Sequence, residues 1–291
     1  KIRVYEQCNL PVLEKLRDFL GRGYNTGYGD ELFRIGPFKV ISDGALGART
    51  AYLREPYTDV PTTRGIPFFS QEELDALILE AHRAGMQIAI HAIGDAGMDM
   101  VMNAIEKARR QYPRTGERHG IIHCQITHHD QLDRMKAMDL IAYIQPIFLN
   151  YDISIIEDRI GAQRASTSYN WTEFLDKEIP ISGGSDCPVE SLDIMDNIYA
   201  AVTRKTLAGQ PDGGWRPDQC ITVEQALESF TMGGAYASFS EDRKGSITPG
   251  KVADFAVLSA DLFAVAPDAI KDIDVLQTYL NGELVFDRAA Q

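Results

Sequence analysis

The sequence predicts an α/β architecture, a barrel-like parallel sheet with helices outside it, followed by a smaller β appendage. Three observations predict it. Short apolar runs alternate with segments of helical period. The runs, such as IAYIQPIF (141–148), are apolar throughout, which suits strands covered on both faces better than strands of a sandwich. Several of them end abruptly in a polar residue, as expected where barrel strands deliver side chains to one rim.

Taken in order, Lys1–Tyr5 and Pro37–Ile41 read as strands around a helix near Leu10–Leu20. Ser70 and Glu73 form a capping box, and Leu74, Leu77, Ile78 and Ala81 repeat at helical spacing until Gly85. A strand at Gln87–His91 follows, then a helix over Gly97–Gln111 with Val101, Ala104, Ile105 and Ala108 on one face, closed by Pro113. The cycle repeats through strand Gly120–Cys124, helix Asp130–Met138, strand Leu140–Phe148, helix Asn170–Glu178, strand Ile179–Gly183 and helix Leu192–Lys205. That makes six strand–helix units at most, where a closed barrel of this kind has eight. Thr222 and Gln225 cap a further helix expected to reach about Ser238. Beyond it, short strands within 251–259 and 275–287 flank Asn281-Gly282, a strong hairpin signal. The expected division is a barrel domain over 1–240 and C-terminal strands over 241–291.

Three runs carry candidate ligands at or near their ends: QIAIHAIGD (87–95) has His91, GIIHCQ (120–125) has His123 and PISGGSD (180–186) has Asp186. Residues this far apart in sequence converge at the C-terminal rim of a barrel, and two imidazoles with a carboxylate there point to a metal-assisted hydrolase. Cys124 and Cys187 each follow a candidate ligand and read as small buried residues at strand ends.

Composition narrows the partners. The 291 residues are 44% hydrophobic and 24% charged, which fits a folded globular chain. With 29 basic against 42 acidic residues the net charge is −13, which repels phosphate backbones and anionic membranes, so nucleic acid and membrane partners are not expected. No run approaches the ~20 apolar residues of a bilayer span, and the start KIRVYEQCNL lacks a signal-peptide pattern. The four scattered cysteines fit reduced thiols, and a cytoplasmic location is expected.

The segments FKVISDGALGARTA (38–51), IHAIGDAG (90–97), RHGIIHCQ (118–125), GSDCPVE (184–190) and TMGGAYASFSEDRKGSITPGKVADFAVL (231–258) resemble the YtcJ-like branch (amidohydrolase family 3) of the metal-dependent amidohydrolase superfamily. The resemblance, spanning about Arg3 to Asp287, implies a TIM-type (β/α)8 barrel with a small β-sandwich portion. It implies hydrolysis of a non-peptide C–N bond, in an amide or cyclic amide, by metal-activated water. Members hold one or two divalent metals, most often zinc, on an HxH of the first strand, a lysine of the fourth, histidines of the fifth and sixth, and an aspartate of the eighth. Position by position, Lys39, His91, His123 and Asp186 match the last four, with Asp186 also moving the proton. Lys39 would be carboxylated, its carbamate bridging two metals.

The chain departs from that pattern in having no HxH. The segment resembling the third strand sits at Lys1–Tyr5, so the first two strands and part of the sandwich are expected to be missing, and the chain alone is expected to turn over weakly or not at all. Such an open edge invites self-association or pairing with the missing N-terminal segment. Other readings stay open: a Schiff-base aldolase-type barrel using Lys39, or an inert binding or regulatory fragment. Arg49 is a candidate clamp for a substrate carboxylate, or one half of an ion pair. Asp95 either orients His91 or caps the following helix. His119, His128 and His129 read as structural. The substrate is a small molecule whose pocket is shaped by the loops Gly44–Phe69 and Thr206–Cys220.

Overall fold

A computed structural model describes residues 1–290. The chain divides into two compact units, one of Arg3–Ile144 with Ser154–Pro180, the other of Lys1–Ile2, Gln145–Ile153 and the chain from Ile181 onward.

The first unit alternates strand and helix as expected: β1 (Val4–Asn9), α1 (Leu13–Gly21), β2 (Phe33–Lys39), α2 (Gln71–Arg83), β3 (Ala89–Ala92), α3 (Asp95–Gln111), β4 (Gly120–His123), α4 (His129–Ala137) and β5 (Ile141–Ile144). After α5 (Leu149–Asp152), which belongs to the second unit, α6 (Ile156–Ala165) and α7 (Trp171–Asp176) return to the first. The strands run parallel: β1 pairs β2, bridges at Phe38–Ile88 and Ile41–His91 join β2 to β3, and β3 pairs β4, which pairs β5. Helix α2 starts where Ser70 and Glu73 exchange hydrogen bonds, 3.2 and 2.8 Å. It then buries Leu74, Ile78 and Ala81, while α3 buries Val101, Ala104, Ile105 and Ala108. Covering helices leave Ile88, Ile90 and Ile121 without exposure, the condition under which strands are apolar on both faces.

Two expected elements are shorter than read. The run at 140–148 is a strand only to Ile144, because Pro146 has no N–H for the ladder and instead opens a 3-10 turn, Pro146–Phe148. In the second unit, β6 (Ile181–Gly183) is followed by α8 (Ile194–Thr203), α9 (Val223–Phe230) and α10 (Met232–Ala237). The helix expected from Thr222 to Ser238 thus breaks at Thr231, which is non-helical (φ −119°, ψ −83°). The break lets α10 seat Gly233 against β6, where a Cβ would lie 2.2 Å from the Ile181 carbonyl. Helix α6 has no counterpart in the sequence reading; Gly161, at φ 77°, interrupts its period.

The C-terminal appendage is an antiparallel sheet of β7 (Phe255–Leu258), β8 (Val275–Leu280) and β9 (Glu283–Asp287). Asn281 (φ 52°) and Gly282 (φ 77°) turn the β8–β9 hairpin, the two left-handed residues its two-residue turn requires. Among the described residues no helix is long and apolar enough to cross a membrane.

Candidate functional site

Strands β2, β3 and β4 bring three of the four sequence candidates to neighbouring strand ends. Lys39 closes β2, half-buried. Since Phe38 pairs Ile88 and Ile41 pairs His91, Lys39 stands across from Ala89, on the same side of the pleat as His91. His123 closes β4 in register with Ala92, so a regular pleat would point it away from His91. It does not, because His123 (φ 82°) and Cys124 (φ 46°) lie in the left-handed region. A conformation that costs on the order of 1–3 kcal/mol persists only where the surroundings over-determine it. Its result is that His123 Nε2 lies 2.9 Å from His91 Nδ1, the rings edge to face at 4.4 Å and 77°.

Behind His91 stand acceptors. Its Nε2 lies 3.1 Å from the Gly44 carbonyl oxygen and 3.3 Å from Asp43 Oδ1. A carbonyl only accepts, so Nε2 carries the hydrogen and the Nδ1 lone pair faces His123. Two nitrogens sharing one tetrahedral zinc lie about 3.3 Å apart, given bond lengths of ~2.0–2.1 Å. The present 2.9 Å is that spacing drawn slightly closer by one shared proton. The pair therefore fits a divalent cation as two imidazole donors, once the hydrogen on His123 Nε2 is displaced.

The carboxylate beside His91 is Asp43, while Asp95, read as orienting His91 or capping the following helix, holds other partners. Asp95 Oδ1 accepts from the amides of Arg54 (2.8 Å) and Ala96 (2.9 Å), and its Oδ2 lies 2.9 Å from His128 Nε2. Asp95 orients His128, and Asp43 takes the place by His91. Asp43 stood within the motif ISDGALGART, two residues after the strand read at Pro37–Ile41 and just before a glycine, a signal that would have found it. Arg49 is engaged by Asp59, through Nε at 3.2 Å and Nη2 at 2.8 Å, and Arg159 joins the same carboxylate. Asp186 follows β6 in the other unit at φ 60°, its carbonyl accepting from Val189 N at 2.8 Å. Cys124 is buried and its thiol is pushed up by that burial. Cys187 is exposed, contrary to expectation, since it lies in the turn that Asp186 and Val189 close.

A second histidine pair occupies the opposite end of the same strands. His82, in the last turn of α2, and His119, just before β4, are fully buried, with His82 Nδ1 2.9 Å from His119 Nε2. His82 Nε2 lies 2.7 Å from the Tyr112 carbonyl, and His119 Nδ1 accepts from Ile88 N at 3.0 Å. Buried Glu117 sits beside them with one oxygen on Arg109 (3.2 Å) and Oε1 without a hydrogen-bond partner. The donor atoms of His82, Glu117 and His119 fall within 4.8 Å of one another, a spacing that could hold an ion. The tautomers oppose it. An amide only donates, so Ile88 leaves His119 Nδ1 bare and the hydrogen on Nε2, where a cation would have to bind. Burial holds both rings below the usual histidine pKa, His119 well below, and the pair works as a neutral hydrogen-bond relay.

Comparisons with known proteins agree with the fold. The chain is 37% identical over 255 residues to the putative amidohydrolase YtcJ of Bacillus subtilis (strain 168), covering 88% of this chain and 48% of that protein. It is 28% identical over 258 residues to an N-substituted formamide deformylase of Arthrobacter pascens, covering 88% and 46%. The chain thus spans about half the length of the curated relatives it matches. The crystal structure of an uncharacterized metal-dependent hydrolase from Pyrococcus horikoshii OT3 superposes with a TM-score of 0.79 at 30% identity, over 91% of this chain and 52% of that one. The sequence profile of the amidohydrolase family matches residues 2–286, and the chain belongs to that family.

Proposed function

We propose that this chain carries the later-strand part of a divalent-metal centre, and that the whole protein uses the centre to hydrolyse a non-peptide C–N bond in a small amide or cyclic amide. The observation that carries the reading is the facing of His91 Nδ1 and His123 Nε2 at 2.9 Å, with acceptors behind His91. Family membership supports hydrolysis, and the formamide deformylase among the relatives puts N-substituted formamides first among substrates to try.

When bound, a divalent cation, zinc by the donor chemistry, supplies a Lewis acid and lowers the pKa of water from 15.7 to about 7. The chain's own residues do the rest. His91 and His123 donate Nδ1 and Nε2, and the positive φ at His123 aims the second of them. Lys39 and Asp186 enter from the motif alone, Lys39 as a carboxylated ligand and Asp186 as the carboxylate that takes a proton from the attacking water and returns it to the leaving nitrogen.

The test uses the full-length protein: elemental analysis, then a panel of N-substituted formamides, linear amides and cyclic amides with and without a chelator. One or two divalent ions per chain and chelator-sensitive hydrolysis are expected. Metal-free protein, or turnover indifferent to chelation, overturns the reading. The isolated 291-residue chain is expected to turn over weakly or not at all.

A further inference from the structure

We infer that Asp43 is the positioning residue of the His91–His123 pair, and that the same carboxylate fastens the pair to the loop segment at Tyr52; this rests on the metal-centre reading above. Asp43 has no solvent exposure. Its Oδ1 accepts from Ile93 N at 3.1 Å and lies 3.3 Å from His91 Nε2. Its Oδ2 accepts from Gly94 N and Tyr52 N, both at 2.8 Å. A buried carboxylate is costly unless its lone pairs are met, and here three amides meet them without a lysine or arginine, while His91 Nε2, hydrogen-bonded to the Gly44 carbonyl, stands 3.3 Å from Oδ1.

The surroundings are shaped to seal this group in. Tyr52 is held from both sides, its amide on Asp43 and its carbonyl accepting from Gly97 N at 3.1 Å. A Cβ at Gly94 would lie 2.0 Å from the Tyr52 oxygen, and one at Gly97 would lie 2.9 Å from Asp43 Oδ2. Both positions are glycine because backbone and carboxylate occupy the space of a side chain.

Two consequences follow. The hydrogen of His91 stays on Nε2, which turns the Nδ1 lone pair toward His123. The path of the loop at Tyr52 and the aim of His91 also share one carboxylate, so a shift of either displaces the other. Partners of this kind typically contribute 10–100-fold to metal affinity.

The experiment compares the wild-type chain with Asp43→Asn and Gly97→Ala, the second of which pushes the carboxylate without removing its charge. Two readouts serve: the His91 tautomer in metal-free, ¹⁵N-histidine-labelled protein, and Zn²⁺ affinity by competition with a chromophoric chelator. The expected result is an Nε2–H tautomer in the wild type, mixed tautomers in both variants, and a 10–100-fold loss of Zn²⁺ affinity. A wild-type His91 protonated at Nδ1 overturns the inference. So do variants that keep the tautomer and bind Zn²⁺ within about twofold of wild type. If the wild type binds no Zn²⁺ while the variants still change tautomer, the metal-centre reading fails and the positioning role stands. Should Asp43→Asn not fold, Gly97→Ala and the wild-type tautomer decide.

Discussion

Two histidine pairs with the same 2.9 Å nitrogen separation sit at the two ends of β3 and β4, and their chemistry differs because of what stands behind each ring. His119 precedes β4 and His123 closes it, four residues on, or about 13 Å along a strand. Behind His91 are a carbonyl and a carboxylate, which pull the hydrogen outward and leave a lone pair facing the partner. Behind His119 is the Ile88 amide, which takes up the outer lone pair and leaves a hydrogen facing the partner. Spacing alone does not distinguish a ligand pair from a relay. His91 and His82 alike turn a lone pair toward the partner because a carbonyl stands behind them, so the difference lies in the Ile88 amide, which holds the hydrogen on His119 Nε2.

The most direct way to break this comparison is to remove one ring from each pair in the full-length protein. On the proposed metal-centre reading, His91→Ala is expected to lower metal affinity by more than the 10–100-fold of an orienting partner, because it would remove a ligand itself. His82→Ala is expected to leave metal content per folded chain unchanged. Metal analysis of both variants decides, and equal losses would erase the distinction.

The relay's own signature is stability. His119→Ala strands the Ile88 amide and His82 Nδ1 in a site with no exposure, adding the desolvation of unpaired groups to a cavity, for an expected cost of about 2–4 kcal/mol. Urea denaturation of the variant measures it, and a cost below ~1 kcal/mol would mean that solvent or repacking replaces the lost bonds.

Much of the frame behind both pairs was legible in the sequence, and the reason is that it rests on local chemistry. The capping boxes at Ser70 and Thr222, the helical stripes of α2 and α3, and the Asn281-Gly282 hairpin are each written within a few residues. His91 and His123 were singled out because each stands at or near the end of an apolar strand, and the structure brings their rings together. What stayed hidden depends on long-range approach. Asp95, three residues past β3, was open to two readings, one of them as the partner of His91, but Asp43 reaches that ring because Gly94 and Gly97 let the Tyr52 segment close over its carboxylate. Likewise no periodicity predicts that His123 leaves the pleat at φ 82°, or that Ile88 donates to His119.

A smaller effect extends the comparison to pH. His82 and His119 have folded pKa values lowered by burial. Their contribution is therefore present above the unfolded value near 6.5 and lost as pH falls through it, because the unfolded chain takes protons that the relay refuses. The stability of the protein is expected to fall toward acid with a slope of up to about 1.4 kcal/mol per pH unit for each ring. His119→Gln should flatten that slope; an unchanged profile would mean that other groups set it.

The smallest predicted effect carries the opposite sign and comes from His128, a partly buried histidine that also has a carboxylate behind it. His128 has its pKa raised, first by the 2.9 Å hydrogen bond to Asp95 and against the pull of burial. Its contribution is complete below the unfolded value near 6.5 and disappears as pH rises through the folded one. With 31% of the side chain exposed, solvent screening keeps the gain below about 1 kcal/mol. His128→Gln is therefore expected to cost stability at pH 5.5–6 and nothing measurable at pH 9, in denaturation curves taken across that range. His119→Gln should show the reverse dependence on pH, its penalty largest at pH 9, where the neutral relay is intact. If both variants moved in the same direction with pH, the polarity of the backing group would not be what sets the behaviour of these rings, and the contrast between the two pairs would lose its cause.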